Sequence, residues 1–390
     1  MVGRISIGVV LSLVAGIACT GESNSPTRTV PSWTVSPEPL VVIGENDARP
    51  GHELFGVQGA ARLSDGRIAI ANGGSSEVRF FSQTGQLVAT AGRQGRGPQG
   101  FQRSQAFARA AADSLVVLSG DVSIVVVSPT AEVVSKTPLG WAPLRFECRI
   151  AEGGILLAAD RSLILQAEEN RGIAGCPPML DGRARNTDML ARLDPTDLTV
   201  DTLGIFPGTE RDGPRYAAFG RMLAVAVSDD RIFAGETGGD SIAVFSLDGF
   251  RQTSWHALLD ETPIPDAVRA HQPEPFQRPD GTIVTPDPYT FDHVYPRFGR
   301  LVPDRLGYLW IMTYPQLAEP IASIQLTTLF SPVVDPEGAR WTVLGRDGSL
   351  AATVQTPPGL YVLEIGEDYI LGLVRDELDV ESVRLYALDR

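Results

Sequence analysis

Short runs of alternating apolar and polar residues follow one another along most of the chain. Runs such as Arg67–Ala71 and Val78–Phe81 contain β-branched or aromatic residues and predict half-buried β-strands. Asp-Gly turns such as Asp65-Gly66 separate the runs, and glycine supplies the positive φ that a tight hairpin needs. No stretch sustains a 3.6-residue period, and Gln105–Ala112 is one helical turn at most. The pattern predicts an all-β chain and excludes a TIM barrel or doubly wound sheet, which need amphipathic helices.

The runs belong to an internal repeat. Residues 63–85 align without a gap with residues 227–249, at an offset of 164 (227 minus 63), and Phe81 matches Phe245. Weaker copies with the same order of strands and turns cover residues 113–128, 152–194, 304–350 and 360–388. Repeats of this kind form blades of four strands, so six units predict a six-bladed β-propeller with four-stranded antiparallel blades.

The two ends of the chain are predicted to share the last blade. Residues 360–388 supply only three strands, and Trp33–Ile43 is a spare strand that can pair with them and close the ring. The propeller is therefore predicted over residues 33–390. Interruptions at roughly 161–186, 262–292 and 312–340 divide it, and ~46 residues per blade remain without them.

The first residues resemble a secretion signal. Arg4 precedes the apolar run Ile5–Ala18, and Cys19 follows small residues as in a bacterial lipobox, although Gly16 stands where that pattern usually has leucine. We predict a signal peptide over residues 1–19 with lipidation of Cys19, and a disordered tether over residues 20–32. Ordinary cleavage near the same point is the alternative. The protein is then exported to the cell envelope, periplasm-facing or on the surface, and touches the membrane only through its lipid.

The net charge, the lysine content and the cysteines limit the classes of partner and of side-chain chemistry that the protein can have. A formal net charge of −14 disfavours nucleic acid as a partner. Lys136 is the single lysine, which removes most lysine chemistry. With Cys19 lipidated, Cys148 and Cys176 form an even pair, and an oxidising compartment favours a disulfide between them. Two free thiols are the alternative.

Loop lengths predict which face of the propeller carries function. With strands lettered A to D from the channel outward, the B–C loops and the D–A connections between blades emerge on one face, here called the long-loop face. The A–B and C–D turns emerge on the other, the short-turn face. All three interruptions are predicted on the long-loop face, so we expect function there and expect the short turns to do little beyond closing hairpins.

Candidate ligand-binding residues are mostly arginines and tyrosines near predicted connections. The run Gly95–Gly100 matches G-x-G-x-x-G, but no helix follows it, so it predicts a tight crossover between blades rather than a dinucleotide site. The triplets Phe219–Arg221 and Phe298–Arg300 predict packing of inner strands. Residues proposed to meet an anionic ligand or to form exposed aromatic–arginine pairs are Arg93, Arg96, Arg215, Tyr216, Tyr295 and Arg297.

Metal chemistry is the alternative that the sequence leaves open. The chain has no H-E-x-x-H, G-x-S-x-G, C-x-x-C or Walker-type motif. His271, Asp292 and His293 border the 262–292 interruption and have the side chains that hold Ca²⁺ or Zn²⁺. Solvated loop residues are the competing interpretation, and no other cofactor is predicted.

The repeats resemble the NHL-like six-bladed propellers of bacterial secreted proteins and lipoproteins. The resemblance rests on the runs Gly66–Leu87, Gly92–Pro98, Asp304–Trp310 and Val362–Gly372. It covers nearly the whole chain after the signal and implies the fold, although blade two has a short loop and blades three and five carry inserts. It does not imply a reaction, because such propellers serve as protein, glycan or RNA scaffolds as well as enzymes.

These observations favour an envelope-anchored binding module that recognises a protein or carbohydrate through its long-loop face, as a monomer. A metal-dependent hydrolase or lyase, similar to lactonases, with its site at the channel mouth is the alternative. A purely structural role is the third hypothesis. Convergence of carboxylates and imidazoles around the channel axis would distinguish the enzyme from the binding module.

Overall fold

The computed structural model describes residues 30–44, 49–95, 97–139, 149–168, 183–213, 215–286, 288–317, 335 and 337–390. They form six antiparallel sheets of four strands, and the first strand of each sheet contacts the first strand of the next all the way round. The predicted six-bladed β-propeller is therefore confirmed, with strands A lining a central channel.

The strand bounds, from A to D, are as follows. Blade one has Val57–Arg62, Ile68–Asn72, Glu77–Phe81 and Leu87–Ala91; blade two has Ser104–Arg109, Leu115–Ser119, Ser123–Val127 and Val133–Pro138. Blade three has Arg149–Leu157, Leu163–Glu168, Arg183–Leu193 and Val200–Asp212; blade four has Leu223–Val227, Arg231–Glu236, Ser241–Ser246 and Arg251–His256. Blade five has Phe298–Pro303, Leu309–Thr313, Arg340–Leu344 and Leu350–Gln355; blade six has Tyr361–Ile365, Tyr369–Arg375 and Glu381–Asp389.

The fourth strand of blade six comes from the other end of the chain. Thr34–Val35 and Val41–Ile43 both pair antiparallel with Glu381–Asp389, with Thr34 opposite Asp389 and Val41 opposite Leu385. The predicted ring closure is confirmed. Contact with the propeller begins slightly before the predicted boundary, because Ser32 bridges to Thr353 of blade five.

Blade three differs from its predicted strand assignment. Strand A of this blade ends with residues 155–157. Strand B, Leu163–Glu168, lies within residues 161–186, which were predicted to be an interruption between strands. The A–B turn was missed because it contains no glycine, and Arg161 takes the positive φ of 74° instead. The insert therefore lies between strands B and C at residues 169–182, outside the described residues.

Strands B and C are buried on both faces because neighbouring blades pack against each other. Leu309, Trp310 and Ile311 are all fully buried, which explains continuous apolar runs where a half-exposed sheet would alternate. The small elements outside the blades are a 3₁₀ turn at Ala111–Asp113, a helix at Asp266–Arg269, a parallel pair at Arg93–Gln94 and Gly100–Phe101, a hairpin at Phe276–Gln277 and Ile283–Val284, and the short strand Arg215–Tyr216. No helix within the described ranges has the length and apolar character to cross a membrane.

A latch on the short-turn face ties both chain ends to blade five. Arg390 Nη2 donates to Asp304 Oδ2 at 2.8 Å, and Trp310 Nε1 donates to the same oxygen at 3.1 Å. The Arg390 guanidinium carbon lies 4.5 Å from the Trp33 ring centroid, and Trp33 packs edge-on against Tyr308. Asp304 is 4% exposed, so these donors take the place of the water that its carboxylate would otherwise bind.

Two glutamates of blade six hold the first blade. Glu381 Oε2 accepts the N–H of Val57 at 2.9 Å, and Glu364 Oε2 accepts the N–H of Arg62 at 2.6 Å. Val57 and Arg62 are the two ends of strand A of blade one. The junction between the last and first blades is therefore fixed at both ends of the channel.

Candidate functional site

Three cavities meet on the short-turn face at the end of the central channel. Their volumes are about 710, 350 and 330 Å³, and Arg109 and Arg305 line all three. The largest runs along the A–B turns of blades one to three, and the 350 Å³ cavity lies between the turns of blades one and six. The 330 Å³ cavity enters the channel itself and has walls from all six blades, including Ala61, Phe107, Leu157, Val227, Pro303 and Leu363.

The sequence predicts short turns that do little beyond closing hairpins. In the structure, residues of all six A–B turns line these three cavities. The cavity sizes fall in the range of small-molecule sites, with an apolar floor below a charged rim. We call this region the short-turn mouth.

Backbone irregularities aim two residues of blade six into the mouth. The pairing of strand A with strand B shifts register between Val362 and Glu364, and the intervening Leu363 lines the channel cavity. Such bulges redirect side chains and are common beside functional sites. The A–B turn of blade five is tied to the same place, because the N–H of Arg305 donates to the carbonyl of Ile365 at 3.0 Å.

Glu364 is the central acid of the mouth. Its Oε2 accepts the Arg62 N–H and the Tyr369 hydroxyl, at 2.6 and 3.1 Å. Its Oε1 lies 3.5 Å from Arg109 Nη1 and 3.8 Å from Arg305 Nη1. Burial raises the pKa of Glu364 above its ordinary value, although the two guanidinium groups act in the opposite direction.

Arg109 is held firmly behind Glu364. Its guanidinium donates to Asp113 and to the carbonyl of Arg62. Asp113 also accepts from the N–H and the hydroxyl of Ser64, at 2.8 and 2.5 Å. Burial acts to raise the pKa of Asp113, but the Ser64 and Arg109 hydrogen bonds outweigh it and lower that pKa. Asp113 therefore stays ionised and keeps Arg109 in place.

Arg305 is an accessible cation of the mouth. About a third of its side chain is exposed (32%), and its carboxylate neighbours are beyond hydrogen-bond distance, at 3.5 Å for Asp229 and 3.8 Å for Glu364. Among the residues that the structure describes, its side-chain N–H groups make no hydrogen bond. A guanidinium with five donors and no acceptor at the edge of a cavity is suited to bind an anionic group.

The ligand-binding residues predicted from the sequence lie mostly elsewhere. Arg93 is exposed in a two-residue strand between blades one and two. Tyr216 lies under the Arg211 guanidinium, 4.3 Å from ring centroid to guanidinium carbon. Arg215 belongs to a short strand beside blade three. Arg96 is outside the described residues.

Tyr295 and Arg297 stabilise the fold of the 262–292 insert and do not form the predicted exposed pair. Tyr295 is 3% exposed and packs on Phe219, with ring centroids 4.9 Å apart. Arg297 donates to the carbonyl of Leu259 and to Glu261, both at 2.6 Å. Tyr295 is buried and the Arg297 side chain is 25% exposed. The sequence pattern of aromatic followed by arginine does not distinguish burial from exposure.

Two of the three residues proposed for a metal site contact arginines. Asp292 pairs with Arg221, and His293 Nδ1 lies 3.4 Å from Arg269 Nη1, while His271 is exposed. Over the described ranges, no three His, Cys, Asp or Glu side chains come together as metal ligands. The Ca²⁺ or Zn²⁺ site, and the hydrolase or lyase hypothesis that depends on it, stay untested predictions.

The cysteine predictions also stay predictions. Cys19, Cys148 and Cys176 all lie outside the described residues, so neither lipidation nor the disulfide is tested.

Sequence reasoning missed the short-turn mouth. The available signal was Glu364, an acid in an inner strand where the other blades have alanine, leucine or valine at the matching position before the A–B turn. Arg62 and Arg109 provide a second signal, because they occupy equivalent positions at the ends of strands A in blades one and two.

Comparison with known proteins bears on the fold alone. No family model and no curated protein matches the chain. Among solved structures, it is similar to a DUF4221 family member from Bacteroides vulgatus, with a TM-score of 0.50, 12% identity, and 92% of this chain and 99% of that chain covered.

Two enzymes are more distant. A gluconolactonase from Xanthomonas campestris has a TM-score of 0.37 and 15% identity, with 93% of this chain and 99% of that chain covered. A streptogramin B lyase has a TM-score of 0.36 and 11% identity, with 85% and 93% covered. These values are too low to carry either activity over. The first similarity supports the fold, and the likeness to NHL-like propellers remains a resemblance.

Proposed function

We propose that this chain is an exported binding propeller that takes an organic anion, such as an acidic carbohydrate, at its short-turn mouth. The observation that carries the proposal is Arg305, a partly exposed guanidinium without a hydrogen-bond acceptor at the junction of three cavities. The acidic group would bind between Arg305 and Arg109. Export and lipidation at Cys19 belong to the same proposal and rest on the sequence.

The surroundings of Arg305 favour a ligand with hydroxyls next to its acid. The largest cavity also presents Asp229, whose side chain is 60% exposed, together with Ser64 and Arg67. Donors and acceptors therefore alternate round the rim, as hydroxyl-rich ligands require. The apolar walls given by Phe107, Leu157 and Leu363 would meet the carbon skeleton at the channel end.

The first experiment compares the two faces directly. Acidic and neutral mono- and oligosaccharides are screened by isothermal titration calorimetry against wild type, R305Q and R93Q. We expect acidic ligands alone to bind, and R305Q to weaken binding about tenfold to a hundredfold, because a charge-assisted hydrogen bond at a partly buried site contributes about 1.5–3 kcal/mol.

R93Q is the matched control, because it removes the same charge from an exposed arginine that the sequence analysis placed on the long-loop face. It should bind like wild type. Loss of binding in R93Q with retention in R305Q would contradict the proposal and return the site to the long-loop face.

Affinity is also expected to rise as pH falls. Glu364 competes with the ligand for Arg109 and Arg305. Burial raises its pKa, so Glu364 takes up a proton at a higher pH than an ordinary glutamate, and this removes the negative charge that both guanidiniums face. A ligand with a sulfate group stays charged throughout and should bind about threefold to tenfold more tightly at pH 5 than at pH 8.

Glu364→Gln provides the control for this pH dependence. Glutamine retains an oxygen for the Arg62 N–H but carries no charge, so the variant should bind tightly at both pH values. An unchanged pH profile in E364Q would assign the effect to another group.

A further inference from the structure

Arg300 crosses from the inner strand of blade five to the inner strand of blade six. Its guanidinium carbon lies 3.8 Å from the Tyr361 ring centroid, and Nη2 donates to the carbonyl of Val362 at 3.1 Å. The two inner strands contact each other, so this guanidinium lies among the strands that surround the channel.

The positive charge of Arg300 has no protein counter-charge in the part of the chain that the structure describes. No carboxylate lies within 4 Å, and Nε and Nη1 donate to no protein acceptor there. Arg300 as a whole residue is half-buried. Burial lowers the pKa of Arg300, which agrees with a cation that lacks negative charge nearby.

Other arginines near the channel differ in this respect. Four of them have a carboxylate oxygen within 4 Å: Arg62 with Asp368, Arg109 with Asp113, Arg221 with Asp292 and Arg305 with Asp229. The Tyr361 ring offsets part of the cost of the unpaired charge at Arg300 through a cation–π contact. Desolvation of an unpaired ion costs more than such a contact contributes, so most of the penalty is left uncompensated.

We propose that Arg300 binds a small monovalent anion, a halide or a carboxylate, on the open side of its guanidinium. Arginine is weakly hydrated and always charged, so it binds such an anion without first losing a large hydration shell. The anion supplies the counter-charge that the protein lacks and accepts from the N–H groups that the Val362 carbonyl does not use.

This site is separate from the short-turn mouth and does not depend on the proposed function. Arg300 lies within strand A, three residues or roughly 10 Å before the strand ends at Pro303. Arg305 lies in the A–B turn that follows. A ligand at the mouth and an anion at Arg300 can therefore be tested one at a time.

Bromide provides the direct test. Crystals of the full chain in sodium bromide should show an anomalous bromine peak at hydrogen-bond distance from Nε or Nη1 of Arg300, and R300M crystals should lack it. Soaking with acetate distinguishes a site for halides alone from one that also binds carboxylates, because acetate would give a planar density at the same place. Water alone at that position in wild-type crystals would overturn the proposal.

Thermal unfolding tests the same point in solution. At constant ionic strength, bromide should raise the Tm of wild type above its value in fluoride by about 1–2 °C, and R300M should lose this difference. Arg251→Met changes an exposed arginine of blade four and should retain it. R300K, which keeps the charge, replaces R300M if the latter does not fold, and should show a smaller difference. An equal bromide effect in wild type and the Arg300 variant would contradict the site.

Discussion

Replacement of Asp304 by alanine is expected to lower the free energy of unfolding by about 3–5 kcal/mol. Its carboxylate is the common acceptor of the latch, since Oδ1 accepts the N–H groups of Leu306 and Tyr308 and Oδ2 accepts from Trp310 and Arg390. Alanine would leave a buried indole N–H without an acceptor, which costs more than the lost hydrogen bond itself. It would also remove the only carboxylate among the acceptors of Arg390 that the structure describes, and the carbonyls of Glu367 and Gly366 would remain.

Urea unfolding followed by tryptophan fluorescence measures this loss. Asp368→Ala is the matched control, because that carboxylate is 76% exposed and its ion pair with Arg62 spans 3.3 Å. Exposed pairs contribute about 0–1 kcal/mol, so D368A should unfold almost like wild type. A loss below about 1 kcal/mol in D304A would show that the latch does not stabilise the ring.

Removal of the ring-closing strand is expected to have the larger effect. A chain that begins at Gly44 loses both strands that pair with strand C of blade six, together with the Trp33 contact to Arg390. It also loses Ile43, which is 1% exposed in a core shared with blade one. Burial of each large apolar side chain contributes roughly 1.5–3 kcal/mol, and the exposed edge would favour aggregation.

Size-exclusion chromatography and near-ultraviolet circular dichroism test this prediction. The chain from Gly44 should elute as aggregate or lose its tertiary signal, whereas a chain from Val30 should behave as a folded monomer. A synthetic peptide of residues 30–43 added during refolding should restore the signal, since it supplies the missing strand. A folded monomer from Gly44 with an unchanged Tm would contradict the role of the strand in closing the ring.

The fold could be predicted from the sequence because it depends on local patterns that recur. Alternation in Arg67–Ala71 and the match of Phe81 to Phe245 depend on strand burial and turn chemistry, which each blade repeats. The three-stranded last unit and the spare N-terminal strand likewise follow from counting strands. The A–B turn of blade three was missed because Arg161 adopts a backbone conformation that usually indicates glycine.

The site could not be predicted in the same way, because its members are far apart in sequence. Arg109, Arg305 and Glu364 come from three blades. Only the closed ring brings both guanidinium groups within 4 Å of the Glu364 carboxylate. Loop length predicted function on the long-loop face. Of the candidates named there, Tyr295 is a core residue and Asp292 pairs with Arg221. Charged residues at the ends of inner strands are the sequence signal that indicates the short-turn mouth, which loop length does not.

A crystal structure of the chain with an acidic ligand from the calorimetric screen tests the central claim most directly. The proposal predicts ligand density in the short-turn mouth, with the acidic group within hydrogen-bond distance of Arg305 and the remainder along the cavity between the A–B turns of blades one to three. Ligand density on the long-loop face, with the short-turn mouth occupied only by water, would contradict it.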